Sequence, residues 1–216
     1  MIGLRTLNIV LLSKGFPVEQ VTVEDFNFHG SAPVAKLKLP QLIQATVNEY
    51  AIQLLPDRFE VVATTSKATQ HRMEAIVGAA RFFLEEFTSP RAITAIGHNF
   101  TGSFPAKGGD AAAYMAAVSW PSWFAACFEI DGTPTQSVTT KFDSDADSST
   151  TVKLEPSSED GSRIHYDINV NWGDPQGSSR LPVWELIERL PASAEILTSL
   201  VERVSAFTPA TQGEGK

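Results

Sequence analysis

The sequence predicts an α+β domain built on a mostly antiparallel sheet, with amphipathic helices packed on one face. Three observations carry that expectation. Strand-like segments come in runs, without the strict strand–helix alternation of a parallel sheet. The stretch RIHYDINVNW (163–172) alternates without a break. Ile164, Tyr166, Ile168, Val170 and Trp172 share one face, while Arg163, His165, Asp167, Asn169 and Asn171 share the other. The two clearest helical segments each carry a single apolar stripe, so each covers the sheet with one side and leaves its other side wet.

LRTLNIVLL (4–12) is apolar enough to be a largely buried strand, and VEQVTVEDFNF (18–28) reads as a second strand. Residues 30–48, punctuated by Pro33 and Pro40, form either a short helix or an irregular approach to a hairpin. That hairpin is predicted by EYAIQLL and RFEVVATT, which flank Pro56-Asp57, a natural turn opening. Thr65 or Ser66 can cap the first helix, whose stripe is Met73, Ile76, Val77, Ala80, Phe83, Leu84 and Phe87; Pro90 ends it. RAITAIGHNF (91–100) is apolar on both faces and should be a central strand. TGSFPAKGGD then reads as a loop, with Asp110 capping a small helix, AAAYMAAV, that WPSW stops. A short strand around FEI (128–130) precedes a meander of 136–143, 149–156 and 163–172. LPVWELIERL is a helix with proline near its start; Pro191 breaks it, Ser193 recaps, and Ile196, Leu197, Leu200, Val201, Val204 and Phe207 form the last stripe.

With 216 residues and a hydrophobic fraction of 43%, residues 1–207 can form one domain around a real core. Each half runs strands and then helix, which hints at two similar strand–strand–helix halves, about 1–100 and 101–207. Residues 208–216 read as a disordered tail. A net charge of −8 argues against direct nucleic-acid binding, and the scattered Lys and Arg offer no basic helix to a membrane. The N-terminal apolar stretch is broken by Arg5 and Asn8, without an export signal's cleavage site, so the expected location is cytoplasmic. Cys127, the single cysteine, precludes an internal disulfide and sits among apolar neighbours as a small buried hydrophobe.

The candidate chemistry is sparse. His165 and Asp167 lie about 6–7 Å apart along one strand face, a spacing that permits a metal or a His–Asp pair. No further ligand is named by the sequence, and a one-sided antiparallel sheet produces the same polar row without help from function. The row His165, Asp167, Asn169 and Asn171 therefore reads as a solvated or partner-facing surface. Asp143, Asp145 and Asp147 begin like a calcium loop, but Ser148 stands where glycine is needed and Leu154 where the closing glutamate belongs. This segment is a hairpin turn. Lys107 precedes its glycine pair and does not make a phosphate loop. His98, at the end of its strand, could form a general acid–base pocket with Lys107 and Asp110. Trp120, Trp123 and Phe124 are either a core closure or the anchor of a protein contact. No metal and no cofactor are expected.

LPDRFEVVATT leading into a helix, then ITAIGHNF, and HYDINVNW before WELIERL resemble a sporadically distributed family of bacterial α+β proteins with no known activity. The likeness spans roughly residues 50 to 207 as a succession of elements. It implies the α+β fold and a bacterial or phage origin, and it implies no active site. The residues leave two functional classes. The first is a non-catalytic interaction or assembly subunit, an adaptor, regulatory or neutralising partner that binds another protein or itself as an oligomer. The second is a small-ligand binder or enzyme with a pocket near His98, Lys107 and Asp110.

Overall fold

A computed structural model describes residues 3–27, 31–48, 50–63, 69–88, 92–119, 137–145, 148–173 and 182–206. Strand β1 (Gly3–Ser13) is followed by a single 3-10 turn (Glu24–Phe26). Four strands come next: β2 (Ala35–Leu39), β3 (Leu42–Val47), β4 (Tyr50–Leu54) and β5 (Arg58–Ala63). Helix α1 (Thr69–Phe87) leads to β6 (Ile93–Pro105) and α2 (Ala111–Ser119). The meander β7 (Val138–Asp145), β8 (Ser148–Pro156) and β9 (Arg163–Trp172) precedes α3 (Val183–Glu188) and α4 (Leu190–Ala206).

The nine strands form one antiparallel sheet in the order β2-β3-β4-β5-β1-β6-β9-β8-β7. Read outward from its centre, β1-β5-β4-β3 mirrors β6-β9-β8-β7, and β2 is added at one edge. Period-2 alternation sorts the side chains. Ile9, His98, Val170 and Thr150 are successive cross-strand neighbours on β1, β6, β9 and β8, on the side the helices cover. Leu7, Ile9, Leu11, Phe59, Val61, Ile96, Phe100, Ile168 and Trp172 fill the layer between sheet and helices. The fold is α+β, with the described helices on one face.

Helix α1 is held by aromatic packing. Phe83 stacks on Phe59 of β5 at 3.9 Å between ring centroids, with Phe16 edge-on at 5.3 Å and Phe26 at 6.4 Å. These contacts explain why 18–27, the described part of the segment read as a strand, is not one. Val18, Val21, Val23 and Phe26 are buried against the aromatic cluster. The Asp25 carboxylate accepts the Thr22 backbone N–H at 2.6 Å, a local bond that replaces a strand ladder.

Three other segments depart from the reading of the sequence. Residues 35–47 are neither helix nor irregular but a hairpin, in which Pro40 lies in the two-residue turn between Leu39 and Leu42. Strand β6 does not end at Phe100: Phe100, Gly102 and Phe104 keep the period through Pro105. Gly102 is required there, because a Cβ would meet Gly3 O at 2.1 Å and the Tyr166 hydroxyl at 2.3 Å. The helix break falls at Arg189, and Pro191 sits in the first turn of α4, where its missing N–H costs nothing. The hairpin 50–63, the stripe of α1 and the meander are as the sequence predicts; so is the Asp110 cap, whose Oδ1 accepts the Ala113 N–H at 3.0 Å. The proposed cap at Thr65 or Ser66, the strand at 128–130, Cys127 and the tail lie outside the described residues.

Candidate functional site

The side of the sheet away from the helices carries the polar row. Register, which no single strand reveals, extends it across the molecule. Asn8, Asn99, Asn169 and Thr151 are successive neighbours on β1, β6, β9 and β8. A second line joins Thr6, Thr101, Asp167 and Lys153, and a third joins Ser103, His165 and Glu155.

Hydrogen bonds and an ion pair join several of these side chains two by two. Asn169 donates through Nδ2 to Asn99 Oδ1, and the Thr6 and Thr101 hydroxyls share a bond of 2.5 Å. Arg163 donates through Nε to Ser103 Oγ at 2.9 Å. Lys153 pairs with Glu155 at 2.7 Å; that carboxylate, with a smaller contribution from Asp167, raises the ammonium pKa. Toward the other half of the sheet, the Glu60 carboxylate accepts Asn8 Nδ2 at 2.6 Å and Arg58 Nη2 at 2.7 Å. Beside it opens a hollow of about 470 Å³, lined by Leu37, Gln44, Thr46, Gln53, Glu60 and Val62. Asn8 Oδ1 and Arg58 Nε, flanking Glu60, are buried without a hydrogen-bond partner.

This surface is polar and of mixed sign, and Asp167 is exposed on it while His165, Asn169 and Asn171 are half-buried. Among the described residues no group of three or more His, Cys, Asp or Glu side chains is placed to hold a metal ion. His165→Ala and Asp167→Ala should each change folding stability by no more than about 0.5 kcal/mol, as expected of surface positions outside a specific network. Urea denaturation checks this, and a loss several times larger would mean that the row is structural.

His98 has a different environment. It is fully buried on the helix side and lies mid-strand, and burial lowers its pKa from 6.5 to about 3. Its Nδ1 lies 2.7 Å from Ser193 Oγ on α4, and Trp172 Nε1 donates to Nδ1 at 3.0 Å and to Ser193 Oγ at 2.9 Å. An indole N–H can only donate, so Nδ1 is the acceptor and the neutral ring carries its proton on Nε2. That Nε2 is buried without a partner. The Arg189 guanidinium lies 5.0 Å over the Trp172 ring, closing the outer side of this cluster. A serine–imidazole contact has the form of a nucleophile–base pair. Here both side chains have no exposed surface, and the indole occupies the same imidazole nitrogen. The arrangement fastens α4 to the sheet.

The structure does not bring together His98, Lys107 and Asp110. From His98 the strand runs on to Pro105, about 23 Å of extended chain. Lys107 then lies exposed in a turn, and Asp110 is occupied as the α2 cap. Trp120, Trp123 and Phe124 lie outside the described residues. Ser193, Trp172, Asn8, Asn99 and Glu60 are the residues the sequence did not single out. The local signals were an amide set inside each of two apolar central strands, at Asn8 and Asn99, and the cap-like position of Ser193 after Pro191. No protein-family model and no curated protein matches this chain.

Proposed function

We propose that the protein is a non-catalytic binding subunit that presents the open polar face of its sheet to another protein. The observation that carries this reading is the asymmetry of the sheet: the described helices cover one side, and the other carries amides, hydroxyls and paired charges on neighbouring strands. Mixed charge with many hydrogen-bond donors and acceptors suits a polar protein partner better than a phosphate backbone or an apolar ligand. The hollow beside Glu60, lined also by Gln44, Thr46 and Gln53, gives such a partner polar groups on fixed strands to bond. His98, the one buried histidine among the described residues, is occupied in packing, which also favours binding over chemistry. Among the described residues no helix is long and apolar enough to cross a membrane, in keeping with a proposed cytoplasmic setting.

The test is a pair of purifications from the native host. Tagged wild-type protein should bring down a defined subunit, and the double variant Asp167→Arg/Asn171→Arg should lose most of it while keeping the wild-type denaturation curve. Equal recovery of that subunit by the folded variant would contradict the assignment of this face.

A further inference from the structure

We infer that the groove between α1 and α4, on the outer side of the helix layer, receives a basic amphipathic helix from a partner protein. This surface lies on the opposite side of the molecule from the open sheet face, and the inference stands whether or not that face binds. The groove encloses about 840 Å³. Met73 and Val77 of α1 with Pro191 and Ala194 of α4 give it an apolar floor, and Thr198 and Ser199 of α4 add hydroxyls between Glu195 and Glu202. Its rim carries four carboxylates, Glu74, Glu188, Glu195 and Glu202.

Two features specify the occupant. Glu195 and Glu202 stand seven positions apart on one helix, two turns or about 10.5 Å along its axis. A helix lying along the groove repeats its own side chains at that interval, so Lys or Arg at positions i and i+7 would meet both carboxylates while the intervening apolar stripe faces the floor. The sign of the rim is the second feature. Arg81 pairs with Glu188 at 2.9 Å and neutralises one end of the groove. Glu195 and Glu202 are exposed and enter no ion pair among the described residues. A second copy of this chain, with its net charge of −8 and the same acidic rim, would be repelled.

The probe is a fluorescent amphipathic helical peptide of leucine and lysine, with lysines flanking the apolar stripe at i and i+7, and a matched peptide carrying glutamate in their place. The lysine peptide should bind the full chain and weaken as salt is added, and the glutamate peptide should not bind. Glu195→Lys/Glu202→Lys should weaken binding about tenfold or more. Glu19→Lys/Glu159→Lys, with the same net charge but away from the groove, should leave it near the wild-type value. Circular dichroism verifies that both variants are folded, and hydrogen exchange should show protection at 73–77 and 194–202. Equal weakening by the two double variants would reduce the effect to net charge and overturn the inference. Absence of binding, or self-association of the chain through this groove, would also overturn it.

Discussion

Phe83→Ala is expected to destabilise the protein by about 3–5 kcal/mol, the cost of removing a buried phenyl ring whose surroundings cannot collapse. The ring touches three separate parts of the chain. It stacks on Phe59 in the sheet, meets Phe16 and Phe26 in the irregular segment after β1, and lies 5.7 Å from Phe87 one helical turn away. Deleting it leaves a cavity bordered by rigid aromatic faces, which relax less than flexible aliphatic chains would. The loss should appear in urea denaturation as a lower midpoint with an unchanged slope. A change below about 1 kcal/mol would mean that α1 is not anchored through this cluster.

The second large effect is a pH dependence centred on His98. Burial lowers the pKa of the folded imidazole from 6.5 to about 3. As pH falls through 6.5 the unfolded chain binds a proton at this position and the folded chain does not, so stability must decrease. The decrease runs at about 1.4 kcal/mol per pH unit. It stops only near the folded value, about 3, below which both states are protonated. Carboxylates add their own slope at the acid end, so the comparison is made against His98→Asn between about pH 4.5 and 6.5. The asparagine can still accept from Trp172 Nε1 but does not titrate. The variant should show a flatter profile over this window. Identical slopes in the two proteins would mean that His98 is accessible to protons in the folded state.

Elements governed by local periodicity were legible in the sequence. The stripe of α1, the 50–63 hairpin and the three-strand meander each state their burial within one segment, and the structure keeps them. The elements that were misread depend on partners elsewhere. KLKL in β2 carries little burial contrast because it is an edge strand, and its lysines reach back to the segment after β1: Lys36 to Glu24, Lys38 to the Val21 carbonyl. The 18–28 segment alternates like a strand, yet Val18, Val21, Val23 and Phe26 are taken up by the aromatic cluster.

The candidate site divides along the same line. One face of β9 could be read from RIHYDINVNW alone. The alignment of Asn8 and Asn99 beside Asn169 is a matter of register and became visible only with the sheet assembled. The cluster of His98, Trp172 and Ser193 joins positions far apart in the chain. Ser193, two residues after a proline in a helical segment, has the local signature of a cap; its full burial against the imidazole is a tertiary fact.

Native mass spectrometry of the protein, purified gently from its own host, decides whether it is a non-catalytic binding subunit. The expected mass includes at least one further protein subunit, one that is lost when the open face carries Asp167→Arg/Asn171→Arg. A monomer carrying a fixed small mass or a metal would contradict that role and point to a ligand-binding or catalytic protein.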